Sequence, residues 1–161
     1  MRFTLSRLRE LLDNEGLQYY LMPEHEGVML NFRGDNARHQ LIVLVEEDGE
    51  FLQFRSLEYL SCPANHPNLQ ATLKVLGECN YRLRAVKFGW DPRDGEIAVY
   101  VDLWVMDAEI TREQFKRIVD GYFTIMDDQH PRIKAAIDYG ICPDIDAMER
   151  GEEPGASTES P

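Results

Sequence analysis

Between residues 85 and 126 the chain reads as a strand, a tight turn, a second strand and a capped amphipathic helix. That succession restricts it to folds in which a helix covers an antiparallel hairpin. Val86, Phe88 and Trp90 alternate with Lys87 and Gly89. The connection Asp91-Pro92-Arg93-Asp94-Gly95 ends in Asp-Gly, a pair that favours a turn with positive φ. The return strand, from about residue 96 to 106, places Ile97, Val99, Val101, Leu103 and Val105 on one face, an aliphatic surface suited to burial beneath helices. Ala98, Tyr100, Asp102, Trp104 and Met106 fall on the other. Thr111 followed three residues later by Gln114 is a capping box, and Ile110 and Phe115 are placed as a hydrophobic staple. Phe115, Ile118, Val119, Tyr122, Phe123 and Met126 then form one helical stripe. Burying each such side chain contributes about 1.5 to 3 kcal/mol, whereas ordering the backbone costs about 1 to 2 kcal/mol per residue. The helix must therefore be held by the sheet.

The remaining elements follow from the same patterns. Leu5, Leu8, Leu11 and Leu12 share a helical stripe, with Thr4 as cap and Gly16 supplying a left-handed end. Strands are predicted over 17–22, 27–33, 39–45 and 51–55, separated by connections short enough to favour antiparallel hairpins over helical crossovers. After a turn-rich loop over 61–67, Pro67 suits a first helical position. Leu69, Leu73 and Leu76 then give the buried stripe of a second helix, widened by Val75 and Cys79 and ending near Asn80. His130-Pro131 restarts a short helix to about residue 138, with Ile133, Ala136 and Ile137 inward and Gly140 ending it. Residues 1–142 read as one α+β domain. From 143 to 161 acids, Gly, Pro, Ser and Thr replace the apolar residues, the composition of a disordered acidic tail.

Composition narrows the function classes. Hydrophobic residues at 43% and charged residues at 29% of 161 are ordinary for a soluble globular protein. The longest apolar runs, 41–45 and 97–101, fall far short of the roughly 20 residues that span a bilayer. The first residues keep charges within their leucine pattern, unlike a secretory signal, so a cytoplasmic location is expected. Three cysteines at wide spacing, Cys62, Cys79 and Cys142, argue for reduced thiols. A net charge of -12 with no basic patch disfavours nucleic acid and anionic lipid as partners.

The order is helix, three or four antiparallel strands, helix, two strands, helix. In this the chain resembles the YbjN-like family, described as bacterial sensory transduction regulators with a type III secretion chaperone-like fold. The matching features are the helix over 5–16, the meander over 27–55, Leu69, Val86-Lys87-Phe88, Gly95-Glu96-Ile97 and Ile110-Thr111-Arg112-Glu113-Gln114-Phe115. The resemblance implies an α+β fold of α-β-β-β-α-β-β-α order, an antiparallel sheet and helices mainly on one face. It also implies a non-enzymatic regulator or chaperone-like protein. The matched positions are core and turn residues, so no functional residue is carried over.

Candidate chemistry is sparse, and no catalytic residue, cofactor site or metal site is assigned. Cys62 and His66, with Cys79 or His39, lack the paired arms of a structural zinc site. Asp127, Asp128, Asp144 and Asp146 lack the glycine and glutamate of an EF-hand loop. Asp127 and Asp128 read instead as solvated acids or partners of Arg132 or Lys134. The protein-binding candidates are Tyr100, Asp102, Trp104 and Met106, because aromatic side chains on the uncovered face of a sheet are typical interface anchors. They suggest a homodimer contact or a client groove. The alternatives are a small enzyme with a site near the Cys62–His66 loop and a structural subunit of a larger assembly.

Overall fold

The computed structural model describes residues 2–105 and 109–142. The elements are α1 (Leu5–Asn14), β1 (Tyr20–Leu21), β2 (Gly27–Arg33), β3 (Arg38–Glu46), β4 (Phe51–Leu57), β5 (Leu60–Ser61), α2 (Leu69–Arg82), β6 (Lys87–Trp90), β7 (Glu96–Trp104) and α3 (Arg112–Tyr139). All strand pairs are antiparallel, in the order β1-β2-β3-β4-β7-β5, with β6 on the far side of β7. The expected α+β architecture is present. Two ribbons of two residues, β1 and β5, bring the strands before α2 to five. No helix among the described residues is long and apolar enough to cross a membrane.

Alternation decides which face of the sheet is covered. Val28, Leu30, Leu41, Val43, Val45, Leu52, Phe54, Ile97, Val99 and Val101 are buried and join one core with Leu8, Leu11 and Leu12 of α1, Val75, Leu76 and Cys79 of α2, and Phe115, Tyr122, Met126 and Ile133 of α3. Phe54 packs its ring against Phe115 and Tyr122, so α3 lies across the centre of this inner face. The capping box forms as read, with Thr111 accepting from the Gln114 amide and Gln114 from the Thr111 amide. The β4–β7 ladder ends at Arg55 and Tyr100, and side chains complete the inner bonding there. The Val99 amide donates to Ser56 Oγ at 2.8 Å and its carbonyl accepts from Tyr122 Oη at 2.9 Å.

Local expectations fail at four places. Residues 17–19 are not strand, because Leu17 donates its amide to the Leu12 carbonyl at 3.1 Å and completes the end of α1. The second helix starts at Leu69, not Pro67. The Asn68 side chain ties its entry to the Ile137 carbonyl at 2.8 Å, and α2 continues to Arg82. Leu73 is exposed, and Thr72 takes its expected inward place.

The fourth is α3, a single 28-residue helix running through Pro131 to Gly140, where two helices were expected. Proline at 131 has no amide to give the Asp127 carbonyl. Asn36 Nδ2 donates to that carbonyl at 3.3 Å instead, and Tyr59 Oη donates to the neighbouring Met126 carbonyl at 2.7 Å. The Asn36 side chain, from the β2–β3 turn, thus replaces the missing helical bond, and Tyr59, from the β4–β5 connection, supports the neighbouring carbonyl, so that the helix continues.

Candidate functional site

The opposite face of the sheet carries the candidate binding residues. Cross-strand register sorts its side chains into rows. Trp104 stands opposite Phe51, Asp102 opposite Gln53 and then Leu44, and Tyr100 opposite Arg55, then Ile42, Met29 and Tyr20. None of these side chains belongs to the buried core cluster, and the buried residues of all three helices lie on the other side. Trp104 is 67% exposed and rests its ring on Phe51, with centroids 5.0 Å apart.

Charge pairs organise the middle of this face. Asp102 accepts from Lys87 Nζ at 2.6 Å and from Gln53 Nε2 at 2.8 Å, which explains a carboxylate in mid-strand on an open surface. The half-buried Tyr100 ring lies between Lys87 Nζ, 4.8 Å from its centroid, and the Arg55 guanidinium carbon at 5.4 Å. Arg55 also donates to Glu96 at 2.8 Å. Two cation–π contacts flank the Tyr100 ring, and two ion pairs position the cations that make them. Tyr100, Asp102 and Trp104 thus lie together as the alternation required. Met106 lies outside the described residues. The parts of this face drawn from β2, β3 and β4 were not named from the sequence, because locating them requires the register of three further strands.

Cys62 and His66 take separate structural roles. Cys62 is fully buried with its Sγ facing Thr72 Oγ1 at 3.7 Å, and its backbone carbonyl accepts from Trp90 Nε1 at 2.9 Å. Its amide bonds the Gly95 carbonyl at 2.8 Å. Gly95 has φ of +79°, and a Cβ there would stand 2.7 Å from the Cys62 carbonyl oxygen. His66 Nδ1 accepts from the Asn68 amide at 3.1 Å and shapes the entry to α2. Among the described residues no group of three His, Cys, Asp or Glu side chains could hold a metal ion.

A buried polar cluster on α3 is the feature that local sequence reading missed. Asp127, expected as a surface acid, is 5% exposed. Its carboxylate accepts from the Asp35 amide at 2.8 Å, the Asn36 and Ala37 amides at 3.1 Å each, and His39 Nε2 at 2.8 Å. Burial alone would raise its pKa, but the bonds from His39 and these amides outweigh burial and leave it below the ordinary carboxylate value. Gly34 has no alternative at this contact, since a Cβ would fall 2.0 Å from Asp127 Oδ1. His130 sits edge-on to His39, with ring centroids 5.6 Å apart. Burial and the neighbouring His39 hold its pKa below the usual histidine range. Arg132, expected as a partner for these acids, is fully buried and pairs with Glu78 of α2, with Gln129 and Cys79 beside it. The cluster fastens α3 to the β2–β3 turn and to α2, and it acts as structural support for the sheet.

Comparison with known proteins agrees with this architecture. E. coli YbjN superposes with a TM-score of 0.57 at 16% identity, covering 79% of this chain and 91% of that one. The ExsC–ExsE complex gives 0.53 at 14% identity, covering 83% and 97%. These likenesses show a shared fold. No curated protein matches the chain in sequence. The sequence pattern of one family, described as "Putative bacterial sensory transduction regulator", matches residues 4–135, and the chain belongs to that YbjN family.

Proposed function

We propose that this chain is a non-enzymatic protein-interaction module of the bacterial cytoplasm, regulatory or chaperone-like, which binds a protein partner through its open sheet face. Trp104 is the observation that carries the reading. A tryptophan two-thirds exposed, backed by Phe51 and continuous with the braced Tyr100, is an aromatic anchor whose outer surface is left uncovered by the described residues. The surrounding charges are largely matched within the face, through Lys87 with Asp102 and Arg55 with Glu96. Around Tyr100 and Trp104 a partner therefore meets a nearly neutral patch on a molecule of net charge -12. The fold shared with ExsC, whose structure is that of a complex with ExsE, supports the same reading. The first occupant proposed is a second copy of this chain.

A photoreactive phenylalanine analogue at position 104 tests this on the full chain, irradiated both after purification and in the bacterial cells that express it. A cross-linked product of twice the monomer mass, abolished by Tyr100→Ala, supports self-association through this face. Efficient cross-linking only to a heterologous protein assigns the face to a client, and no cross-linked species in either case refutes it as a binding surface.

A further inference from the structure

At the turn end of the open face, Arg33 and Arg38 stand directly opposite each other as the last pair of the β2–β3 ladder. The Gly34 amide bonds the Ala37 carbonyl at 2.8 Å and the Val45 amide the Glu26 carbonyl at 2.7 Å. With hydrogen-bonded pairs at 34–37 and 26–45, the alternation makes 33–38 a non-hydrogen-bonded pair, the type in which facing side chains come closest. Like charges in that position are destabilising. Both arginines are exposed, and neither side chain has a hydrogen-bond or ion-pair partner among the described residues. Fraying does not relieve the repulsion, because Asp127 holds the intervening turn by three amides. In a chain with 29 acids against 17 bases, two unmatched guanidinia carried side by side on a pinned backbone pair form a cationic site suited to carboxylates.

We propose that this receptor holds the acidic segment that follows α3, residues 143–161 of the same chain. That segment carries Asp144, Asp146, Glu149, Glu152, Glu153 and Glu159 against the single Arg150. A separate acidic partner would be repelled by the net charge of -12, whereas a tethered segment acts at an effective concentration of the order of millimolar. The reach is sufficient. Asp127 touches the arginine-bearing turn, and α3 ends at Tyr139, a distance of about 18 Å along the axis at about 1.5 Å per residue. Extended chain covers roughly 3.3 to 3.6 Å per residue, so the segment from 143 to 161 can span about 60 Å, enough to pass from the helix side of the sheet to its open face. Arg33 and Arg38 border the Asn31–Gln40 row, itself next to the row of Tyr100, so an occupant of the two arginines competes with a partner on that face. The inference concerns the occupant of Arg33 and Arg38 and does not depend on the partner proposed above.

The experiment is NMR of the isotope-labelled full chain, reading the guanidinium Nε–H signals of Arg33 and Arg38 and the amides of 144–153. Two variants are compared with it, Arg33→Gln/Arg38→Gln and the chain with Asp144→Asn, Asp146→Asn, Glu149→Gln, Glu152→Gln and Glu153→Gln. The proposal expects the neutralised segment to shift the Arg33 and Arg38 signals but not those of Arg93, whose partner is Asp91. It expects the double arginine variant to move the 144–153 amides to their positions in about 1 M salt, where the Debye length is about 3 Å. Segment amides identical in wild type and the arginine variant overturn it. So do Arg33 and Arg38 shifts that vanish on dilution, which would assign the carboxylates to a second copy.

Discussion

Replacing Asp127 with alanine is the perturbation whose cost the structure defines best. The carboxylate takes four hydrogen bonds, one from buried His39 and three from amides of the β2–β3 turn. Bonds to a charged group contribute roughly 1.5 to 3 kcal/mol where the donor is buried, and His39 cannot turn to water. The turn amides belong to more exposed residues and partly rehydrate, so each is worth nearer 0.5 to 1 kcal/mol. One carboxylate serves all four, and the sum is not additive. The expected loss is about 3 to 4 kcal/mol, a large share of a typical stability of 5 to 15 kcal/mol. In urea, with m of about 1 to 3 kcal/mol/M, the unfolding midpoint falls by roughly 1 to 4 M at unchanged m. Asp128→Asn is the control, because Asp128 is exposed and its pKa is raised by partial burial and by the adjacent Asp127 charge. A loss below about 1 kcal/mol for Asp127→Ala, or an equal loss for both variants, would refute the view that this carboxylate fastens the sheet to α3.

Three further outcomes follow from the same contacts. Gly34→Ala drives a methyl into the Asp127 carboxylate. It should destabilise to a similar degree and add little to Asp127→Ala in a double-mutant cycle, while additive losses would show that the two act separately. Stability should fall on acidification in two stages. His130, its pKa lowered in the fold, resists the proton that the unfolded chain accepts below about pH 6.5. Asp127, also lowered, contributes stability above its unfolded value that is lost as pH falls through the folded one. His130→Gln should flatten the first stage of a pH series of unfolding midpoints and leave the second, and an unchanged profile would contradict the assignment. Ser56→Ala leaves the buried Val99 amide without its acceptor. It should cost about 1 to 3 kcal/mol by thermal or urea unfolding, and a neutral effect would mean that the strand end re-pairs or hydrates.

The periodic parts of the chain were legible in its residues. The four aliphatic odd positions of β7, the Thr111–Gln114 capping box and the leucine stripe of α1 each carry a local rule, and each folds as that rule requires. The same alternation put Trp104 on the face opposite the aliphatic one, but that this face lies uncovered is known only from the packing of all three helices on the other side. Errors arose where a residue ninety positions away completes a local deficit. Pro131 reads as a helix break until Asn36 bonds the carbonyl it leaves open, and Asp127 reads as a surface acid until the Gly34–Ala37 turn closes over it. The full extent of the open face was hidden for a related reason. Met29, Ile42, Leu44 and Phe51 join Tyr100 and Trp104 only through the register of neighbouring strands, which no single strand's pattern specifies.

The proposal that matters most is that the Tyr100–Trp104 face is a self-association surface and not part of the core. Light scattering coupled to size exclusion, with urea unfolding in parallel, tests it on the full chain and the Tyr100→Ala/Trp104→Ala variant. Wild type is expected to be a dimer, and the variant a monomer of nearly unchanged unfolding midpoint. Equal masses for the two proteins, or loss of the variant's fold, would contradict it.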